Sequence, residues 1–147
     1  MKLAFSSDHA GFEFRQALAD WARSQGHQVD EYGAKSHSSF DYPVAADEAV
    51  ASILAGSHDL GVFICGSGIG ISIRANRYPG IRCALCCGVE SARLARLHNN
   101  ANAIALGARM MSAEDGIAIL AEFLSTEPDP DERHARRVRQ LDSPLSS

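Results

Sequence analysis

Apolar and polar positions along this chain follow two alternating periods, one typical of strands and one typical of amphipathic helices. Leu60–Cys65 is a continuous apolar run, which indicates a strand buried on both faces. After Gly11, the residues Phe14, Leu18 and Trp21 are spaced to share one helix face. The pattern predicts strands at 3–6, 27–32, 60–65, 81–87 and 103–106, and helices at 11–25, 44–55, from Gly70 to about 76, 89–98, 113–124 and 132–141.

This order of elements predicts an α/β fold, because strands that alternate with helices form a parallel sheet with helices on both faces. We therefore expect a three-layer α/β/α sandwich around a five-stranded parallel sheet. The chain has no internal repeat and no sign of a second core. We predict one domain over residues 1–142, followed by a flexible C-terminal tail at 143–147.

Ligands of such folds bind beyond the carboxyl ends of the strands. This rule selects four short segments as the candidate binding edge: 7–9, 65–70, 86–88 and the turn around Gly107. The long Ser- and Gly-rich segment 33–43 is predicted to be a loop, and long loops within domains are often functional.

The glycine cluster Gly66, Gly68 and Gly70 lies between a predicted strand and a predicted helix. A dinucleotide fingerprint would place a third Gly at position 71 and a cysteine phosphatase would place Arg there, but the residue is Ile71. A Walker loop would end in Gly-Lys-Ser/Thr, which the sequence lacks. The cluster is therefore either a tight turn or a loop whose amides bind an anion or a developing oxyanion.

Cys65 stands at the start of this loop and could act as a nucleophile or as a base that removes a proton from carbon. The alternative is an inert buried thiol. Asp8 and His9 follow the first strand, where they could act on a ligand, although Asp8 also suits a helix N-cap. His98 could be a general acid, or simply a residue favoured at a helix C-terminus.

The helix predicted at 132–141 carries Arg133, His134, Arg136 and Arg137, which form either a solvated face or a phosphate-binding edge. A nucleic-acid site is the weaker interpretation, because no aromatic residues accompany these cations. Cys83 and Cys86 form a single C-x-x-C pattern within a predicted strand, where residues three apart point to opposite faces. We expect Cys83, Cys86 and Cys87 to be core residues, not metal ligands or a redox pair.

Composition narrows the class of protein further. The 147 residues carry 14 Lys+Arg against 18 Asp+Glu, for a net charge of −4, which makes a chain-wide attraction to nucleic acid or anionic lipid unfavourable. No segment has the roughly 20 apolar residues of a membrane span, and the N-terminus lacks a signal-peptide pattern. Because three of the four cysteines lie within one short stretch, a disulfide framework is not expected, and we predict a cytoplasmic location. His27, His37 and His58 have no mutual metal-ligand spacing and are predicted to lie on the surface or in loops.

A set of short motifs in a fixed order resembles the type B ribose-5-phosphate isomerases, a family that also includes galactose-6-phosphate and allose-6-phosphate isomerases. The likeness extends from Lys2 to about Leu141. The motifs are Ser7-Asp8-His9-Ala10-Gly11, Asp41-Tyr42-Pro43, Cys65-Gly66-Ser67-Gly68-Ile69-Gly70, Pro79-Gly80-Ile81-Arg82, His98-Asn99, Ala105-Leu106-Gly107-Ala108-Arg109 and the segment from Arg133 to Arg137.

The resemblance implies a Rossmann-like fold and an aldose–ketose isomerase that works without a metal or other cofactor, on ribose 5-phosphate and ribulose 5-phosphate. It implies a homodimer, which could pair into a tetramer, whose active sites are built from both subunits. Some members use a Glu from elsewhere, so Cys65 places this chain in the group with a cysteine base. No nucleic acid and no membrane is expected as a partner.

Roles carried over by position fall into three sets. Cys65 is the expected base, Ser67 assists it in a place often held by Thr, and Asp8 and His98 open the furanose ring. The amides of the loop from Gly66 through Gly68 and Ile69 to Gly70 stabilise the enediolate. The expected phosphate ligands are His9, Arg109, Arg133 and Arg137, and the residues expected to line the site are Asn99 and Tyr42.

Two departures from the family pattern bear on substrate identity. Asn100 stands where Asp is expected, and Cys87-Gly88-Val89 is an unusual segment after the fourth strand. Two alternatives therefore stay open: an isomerase of another sugar phosphate, such as allose 6-phosphate, galactose 6-phosphate or a tetrose phosphate, and a sugar-phosphate-binding module without turnover.

Overall fold

Five strands and six helices alternate along residues 1–145, which are the residues that the computed structural model describes. The strands are β1 (Lys2–Ser7), β2 (Gln28–Gly33), β3 (Leu60–Cys65), β4 (Cys83–Leu85) and β5 (Ala103–Gly107). The helices are α1 (Phe12–Ser24), α2 (Tyr42–Leu54), α3 (Ile69–Ala75), α4 (Val89–Asn99), α5 (Ala113–Ser125) and α6 (Glu132–Asp142).

The strands form one parallel sheet in the order β2-β1-β3-β5-β4. Because β2 lies on one side of β1 and β3 on the other, the strand order reverses between β1 and β3. In parallel α/β sheets, this reversal opens a crevice beyond the carboxyl ends of the two strands. The sequence places Asp8 and Cys65 there, Asp8 directly after β1 and Cys65 as the last residue of β3.

Two apolar clusters cover the two faces of the sheet, which confirms the predicted three-layer α/β/α sandwich. One cluster joins α1, α4 and α5 to large side chains of the central strands, such as Phe5 and Ile64. The other cluster joins α2 and α3 to strand side chains that include small ones, such as Ala103 and Ala105. All residues of β3 and β5 are buried, as the apolar runs predict.

The fourth strand is the clearest difference between the predicted and the observed elements. The apolar run 81–87 predicts a buried strand, but β4 comprises Cys83–Leu85 alone, and Leu85 is exposed. The strand is short and partly exposed because β4 lies at the edge of the sheet, where it pairs only with β5. Cys87 lies beyond its end and is exposed, so its predicted place in the core is wrong.

Two further findings concern membrane-spanning helices and the C-terminal tail. None of the helices formed by residues 1–145 combines the length and the hydrophobicity that crossing a membrane requires. Ser143, the first residue of the tail predicted at 143–147, follows α6 directly. Its hydroxyl donates to the carbonyl of Arg139. Residues 146 and 147 lie outside the described residues.

Candidate active site

The ends of β1 and β3 bring Asp8 and Cys65 to the same crevice. The amide of Asp8 donates to the carbonyl of Ile64, the residue before Cys65, at 3.3 Å. The Asp8 carboxylate is nearly buried and accepts the amide of Gly11 at 3.1 Å, in the turn that leads into α1. The N-cap of α1 is Gly11, without a side-chain hydrogen bond, so the N-cap position suggested for Asp8 is wrong. The turn before the helix instead fixes the Asp8 carboxyl group beside the end of β3.

The glycine loop folds around the Cys65 thiol. Cys65 is 4% exposed, and the amide of Gly68 donates to its Sγ at 3.2 Å. This contact holds the sulfur against the backbone of the glycine loop. The hydroxyl of Ser67 accepts the amide of Ile69 at 3.2 Å, and Ser67 itself is exposed. Further amides of the first turn of α3 have no acceptor within the helix, as at every helix start.

Three further side chains surround the loop. Nη1 of Arg109 lies 3.3 Å from the position that a Cβ on Gly66 would take, and the Tyr42 ring lies so close to Gly70 that a Cβ there would meet it at 2.6 Å. His9 belongs to the same edge: its Nδ1 lies 3.1 Å from the amide nitrogen and 3.3 Å from the carbonyl oxygen of Phe40.

The structure thus brings ten of the predicted site residues together at the carboxyl edge of the sheet. We call them the carboxyl-edge group, and it comprises Asp8, His9, Tyr42, Cys65, Gly66, Ser67, Gly68, Ile69, Gly70 and Arg109.

The other four predicted site residues lie at the opposite end of the molecule. Helix α4 starts after the carboxyl end of β4 and returns to the amino end of β5, so His98 and Asn99 stand at the amino edge of the sheet. An 11-residue helix is about 16 Å long at ~1.5 Å per residue, which separates them from Cys65 within one chain. Arg133 and Arg137 are on α6, which packs against α4. We call His98, Asn99, Arg133 and Arg137 the amino-edge group.

The cations of α6 do not share one face. Arg133, Arg136 and Arg137 are exposed, whereas His134 is buried between α6 and α4, where its ring stacks on that of His98. The sequence pattern groups His134 with the arginines because it is polar. The helix rotation instead turns it toward α4, so its predicted place among exposed phosphate-binding cations is wrong.

Asn100, the first departure from the family pattern, ends α4 in a left-handed conformation with φ of 42°. Its carbonyl oxygen accepts Nε and Nη2 of Arg82 at 3.2 and 2.9 Å, and its Oδ1 accepts Nη1 of Arg96 at 3.1 Å. Asn tolerates this conformation better than most residues. Its side chain therefore stabilises the turn beside His98 and Asn99. The second departure is the segment Cys87-Gly88-Val89, in which Gly88 is the N-cap of α4 and Cys87 is exposed at the carboxyl edge.

The remaining cysteines and histidines lie apart from the candidate site. Cys83 and Cys86 belong to the clusters on opposite faces of the sheet, as their spacing predicts, and all four cysteines are free. Burial raises the pKa of the Cys86 thiol to about 11 and that of Cys83 further still. His58 occupies a loop, as predicted, but is buried there against Asp30. Within residues 1–145, no three His, Cys, Asp or Glu side chains are grouped so that they could hold a metal ion.

Comparison with known proteins identifies the group to which this geometry belongs. A sequence model described as Ribose/Galactose Isomerase matches residues 3–141. The chain belongs to the ribose/galactose isomerase family. It is therefore an enzyme of the aldose–ketose isomerase class, and the resemblance drawn from its motifs is confirmed.

Individual members of the ribose/galactose isomerase family match nearly end to end. The ribose-5-phosphate isomerase B of Mycolicibacterium paratuberculosis is 41% identical over 139 residues, which are 94% of this chain and 87% of that protein. The Escherichia coli protein of the same name is 35% identical over 140 residues, 95% of this chain and 93% of its own. A crystal structure of a ribose 5-phosphate isomerase from Thermotoga maritima superposes with a TM-score of 0.93 at 46% identity, covering 96% of this chain and 97% of the other.

Sequence reasoning missed one residue that organises the carboxyl-edge group. Arg15 of α1 is buried, and it donates to the Ser7 hydroxyl at 2.9 Å and to the carbonyls of Tyr32 and Ala34 at 2.7 Å each. It thereby ties the end of β1, next to Asp8, to the loop after β2. No local pattern distinguishes an arginine of this kind from the exposed ones, because its partners are distant in sequence.

Gly68 is the position of the loop at which a side chain is least tolerable. Its φ is +79°, and a Cβ would lie 2.9 Å from the carbonyl carbon of Leu106. Gly56 has nearly the same φ, +77°, but open space around it. We expect Gly56→Ala to lower the free energy of unfolding by about 1 kcal/mol, the strain of the left-handed backbone, and Gly68→Ala by about 3 kcal/mol or more. Urea denaturation at one protein concentration measures both, and equal losses would contradict the crowding at Gly68.

Proposed function

We propose that this enzyme interconverts ribose 5-phosphate and ribulose 5-phosphate through an enediolate, without a metal ion. The observation that carries the proposal is the buried Cys65 thiol, with the Gly68 amide at 3.2 Å from its sulfur, on a chain whose full-length relatives are named ribose-5-phosphate isomerase B. A thiolate is a competent base for a proton on the carbon next to a carbonyl, provided that the resulting oxyanion is stabilised in place.

In the proposed proton transfer, Cys65 Sγ removes the proton from C2 of the open-chain aldose and returns it to C1, while the carbonyl moves from C1 to C2. The charge that develops on the oxygens faces loop amides between Gly66 and Gly70, and the exposed Ser67 hydroxyl assists the proton shift between them. Backbone donors suit this task because they are already oriented before charge develops.

Ring opening must precede that step, since the furanose has no carbonyl group. We infer that His98 donates a proton to the ring oxygen as the bond from that oxygen to C1 breaks. The Asp8 carboxylate accepts the proton of the C1 hydroxyl, which becomes the aldehyde. General acid–base assistance of this kind typically contributes about 10²–10⁴-fold to a rate.

The proposed phosphate site combines cations from both groups. His9 and Arg109 come from the carboxyl-edge group, and Arg133 and Arg137 come from the amino-edge group. The guanidinium groups can each donate two hydrogen bonds to a phosphate. Tyr42, whose ring covers Gly70, and the exposed Asn99 line the space between them.

We further propose a homodimer in which the carboxyl-edge group of one subunit meets the amino-edge group of the other. Support comes from the separation of the two groups within one chain and from exposed apolar side chains around the carboxyl-edge group. Such patches on a small protein typically mark an interaction site. The exposed side chains in question are Tyr42, Ile69, Ile73, Leu85, Val89 and Met110. Since all four cysteines are free, a reducing compartment such as the cytoplasm is the location that we infer.

The sharpest test of the proposed reaction is a panel of sugar phosphates assayed with and without EDTA. We expect ribose 5-phosphate to give ribulose 5-phosphate with the highest kcat/KM of the panel, and EDTA to leave the rate unchanged. The panel includes allose 6-phosphate, galactose 6-phosphate and the tetrose erythrose 4-phosphate. Product formation is followed by NMR, which also detects binding.

Each alternative outcome has a distinct meaning. A higher kcat/KM on a hexose or tetrose phosphate would assign the same chemistry to another sugar. Tight binding without product on any member would favour a binding module. Loss of activity in EDTA that is restored by a divalent cation would contradict the metal-free reaction.

A further inference from the structure

The ring of His98 is covered on one face by a second imidazole. The centroids of His98 and His134 are 4.4 Å apart and their planes differ by 8°, so the rings are stacked. His134 extends from α6, and its side chain is 10% exposed. His98 itself is only partly buried, since α4 ends at the next residue.

Two hydrogen bonds hold α6 in the register that this stack requires. The amide of Asp129 donates to the carbonyl of Leu97 at 2.9 Å, which ties the segment before α6 to the residue before His98. The Asp131 carboxylate then caps α6 by accepting the amide of Arg133 at 2.9 Å. The start of α6 is therefore fixed to the end of α4, and His134 lies in its first turn.

The ring of His134 interacts by stacking its face on His98 and not by a hydrogen bond from Nε2. Its Nε2 is buried and has no hydrogen-bond partner among residues 1–145, and the Asp129 Oδ2 is 3.9 Å away. Burying a ring nitrogen without a partner is unfavourable, so the packing of this ring must compensate for it. Arg133, the preceding residue, is exposed instead, and its Nε lies 3.5 Å from Asp131 Oδ2.

We propose that His134 is a positioning residue, whose flat ring holds the imidazole of His98 in the orientation that ring opening needs. This inference rests on the proposed role of His98 as the acid of that step. His98 has few other restraints, because it stands at the exposed end of a helix. Since a misplacement of about 1 Å can reduce a rate by about 10²-fold, a rigid support for this imidazole has a measurable effect.

The test compares two apolar replacements that differ in shape. His134→Phe keeps a flat ring, and His134→Leu fills similar space without one. We expect His134→Leu to lower kcat on ribose 5-phosphate about 10-fold with KM changed less than about 3-fold, and His134→Phe to retain a third or more of kcat. His98, His134 and Val138 line one cavity between α4 and α6. Val138→Ala, one turn after His134, is therefore the matched control and should keep kcat within about 2-fold. Circular dichroism establishes that each variant folds.

A double variant separates this proposal from the role of His98 itself. If His134 acts through His98, combining His134→Leu with His98→Ala slows turnover no more than His98→Ala alone. Multiplicative losses, an unchanged kcat in His134→Leu, equal losses in the Leu and Phe variants, or a rise in KM alone would each overturn the positioning role while leaving the proposed function intact. Wild-type turnover in His98→Ala would overturn both the positioning role of His134 and the proposed role of His98 as the acid of ring opening.

Discussion

Mixing the Cys65→Ala and His98→Ala variants should restore about a quarter of wild-type activity, although each variant alone should be roughly 10²–10⁴-fold slower than the wild type. Cys65 belongs to the carboxyl-edge group and His98 to the amino-edge group, at opposite ends of the sheet. If a site combines one group from each subunit, a hybrid dimer has one site with both substitutions and one with neither. Random exchange makes about half of the dimers hybrids, and half of their sites are intact.

The matched control combines two substitutions from the same edge. Cys65→Ala and Asp8→Asn both alter the carboxyl-edge group, so every site of their hybrid carries one substitution and activity should stay low. Subunits are exchanged by co-expression with two different tags. The purified, doubly tagged hybrid has half of its sites intact and should show about half of wild-type activity, against about a quarter for the unfractionated mixture. An inactive Cys65–His98 hybrid, or a native mass equal to one chain, would contradict the shared site. The same mass measurement distinguishes a dimer from a tetramer.

The central part of the fold could be predicted from sequence because its signals are local. The run Leu60–Cys65 is apolar throughout, and a strand buried on both faces is what it forms. The rule for parallel sheets then placed Asp8 and Cys65 at one edge, where the structure has them. β4 was overpredicted because an apolar run does not reveal whether a strand lies at the centre or the edge of a sheet.

The candidate site was predictable only as far as its residues follow strands. His98 was identified by its motif, but its distance from Cys65 depends on the direction in which α4 runs, which the strand order determines. His134 and Arg15 are residues whose burial the sequence pattern does not predict. Both are polar residues on amphipathic helices, and both are buried by partners from distant segments, His98 for one and the loop after β2 for the other. Tertiary contacts of this kind leave no mark on helical periodicity.

The predicted phosphate ligands also gain a structural explanation from the two-edge arrangement. Arg133 and Arg137 recur four residues apart on α6, so they share a face of that helix. His134 is turned away from that face, toward α4. Under the roles proposed for these residues, one helix presents guanidinium groups to a phosphate and supports the His98 imidazole at the same time.

Replacing Arg15 with Met should lower the free energy of unfolding by about 3–5 kcal/mol, because buried partners lose their donors. The side chain of Arg15 is 5% exposed, and its guanidinium binds Glu31 at 3.1 Å in addition to Ser7, Tyr32 and Ala34. Met can replace the aliphatic stem, but it cannot donate to the two carbonyls and the hydroxyl that remain. Urea denaturation, at one protein concentration because oligomers gain stability by mass action, measures the loss.

Arg23→Met is the matched control, because Arg23 pairs with the same Glu31 at 2.9 Å but its side chain is 42% exposed. An ion pair in that setting contributes about 1 kcal/mol or less, so the control should unfold near the wild-type urea concentration. Arg15→Lys, which keeps the charge but not the planar set of donors, should fall between the two. Equal stability of Arg15→Met and Arg23→Met would contradict the assigned role. Since Arg15 ties the end of β1 to the loop that carries Phe40, the partner of His9, folded Arg15→Lys should also turn over more slowly than Arg23→Met.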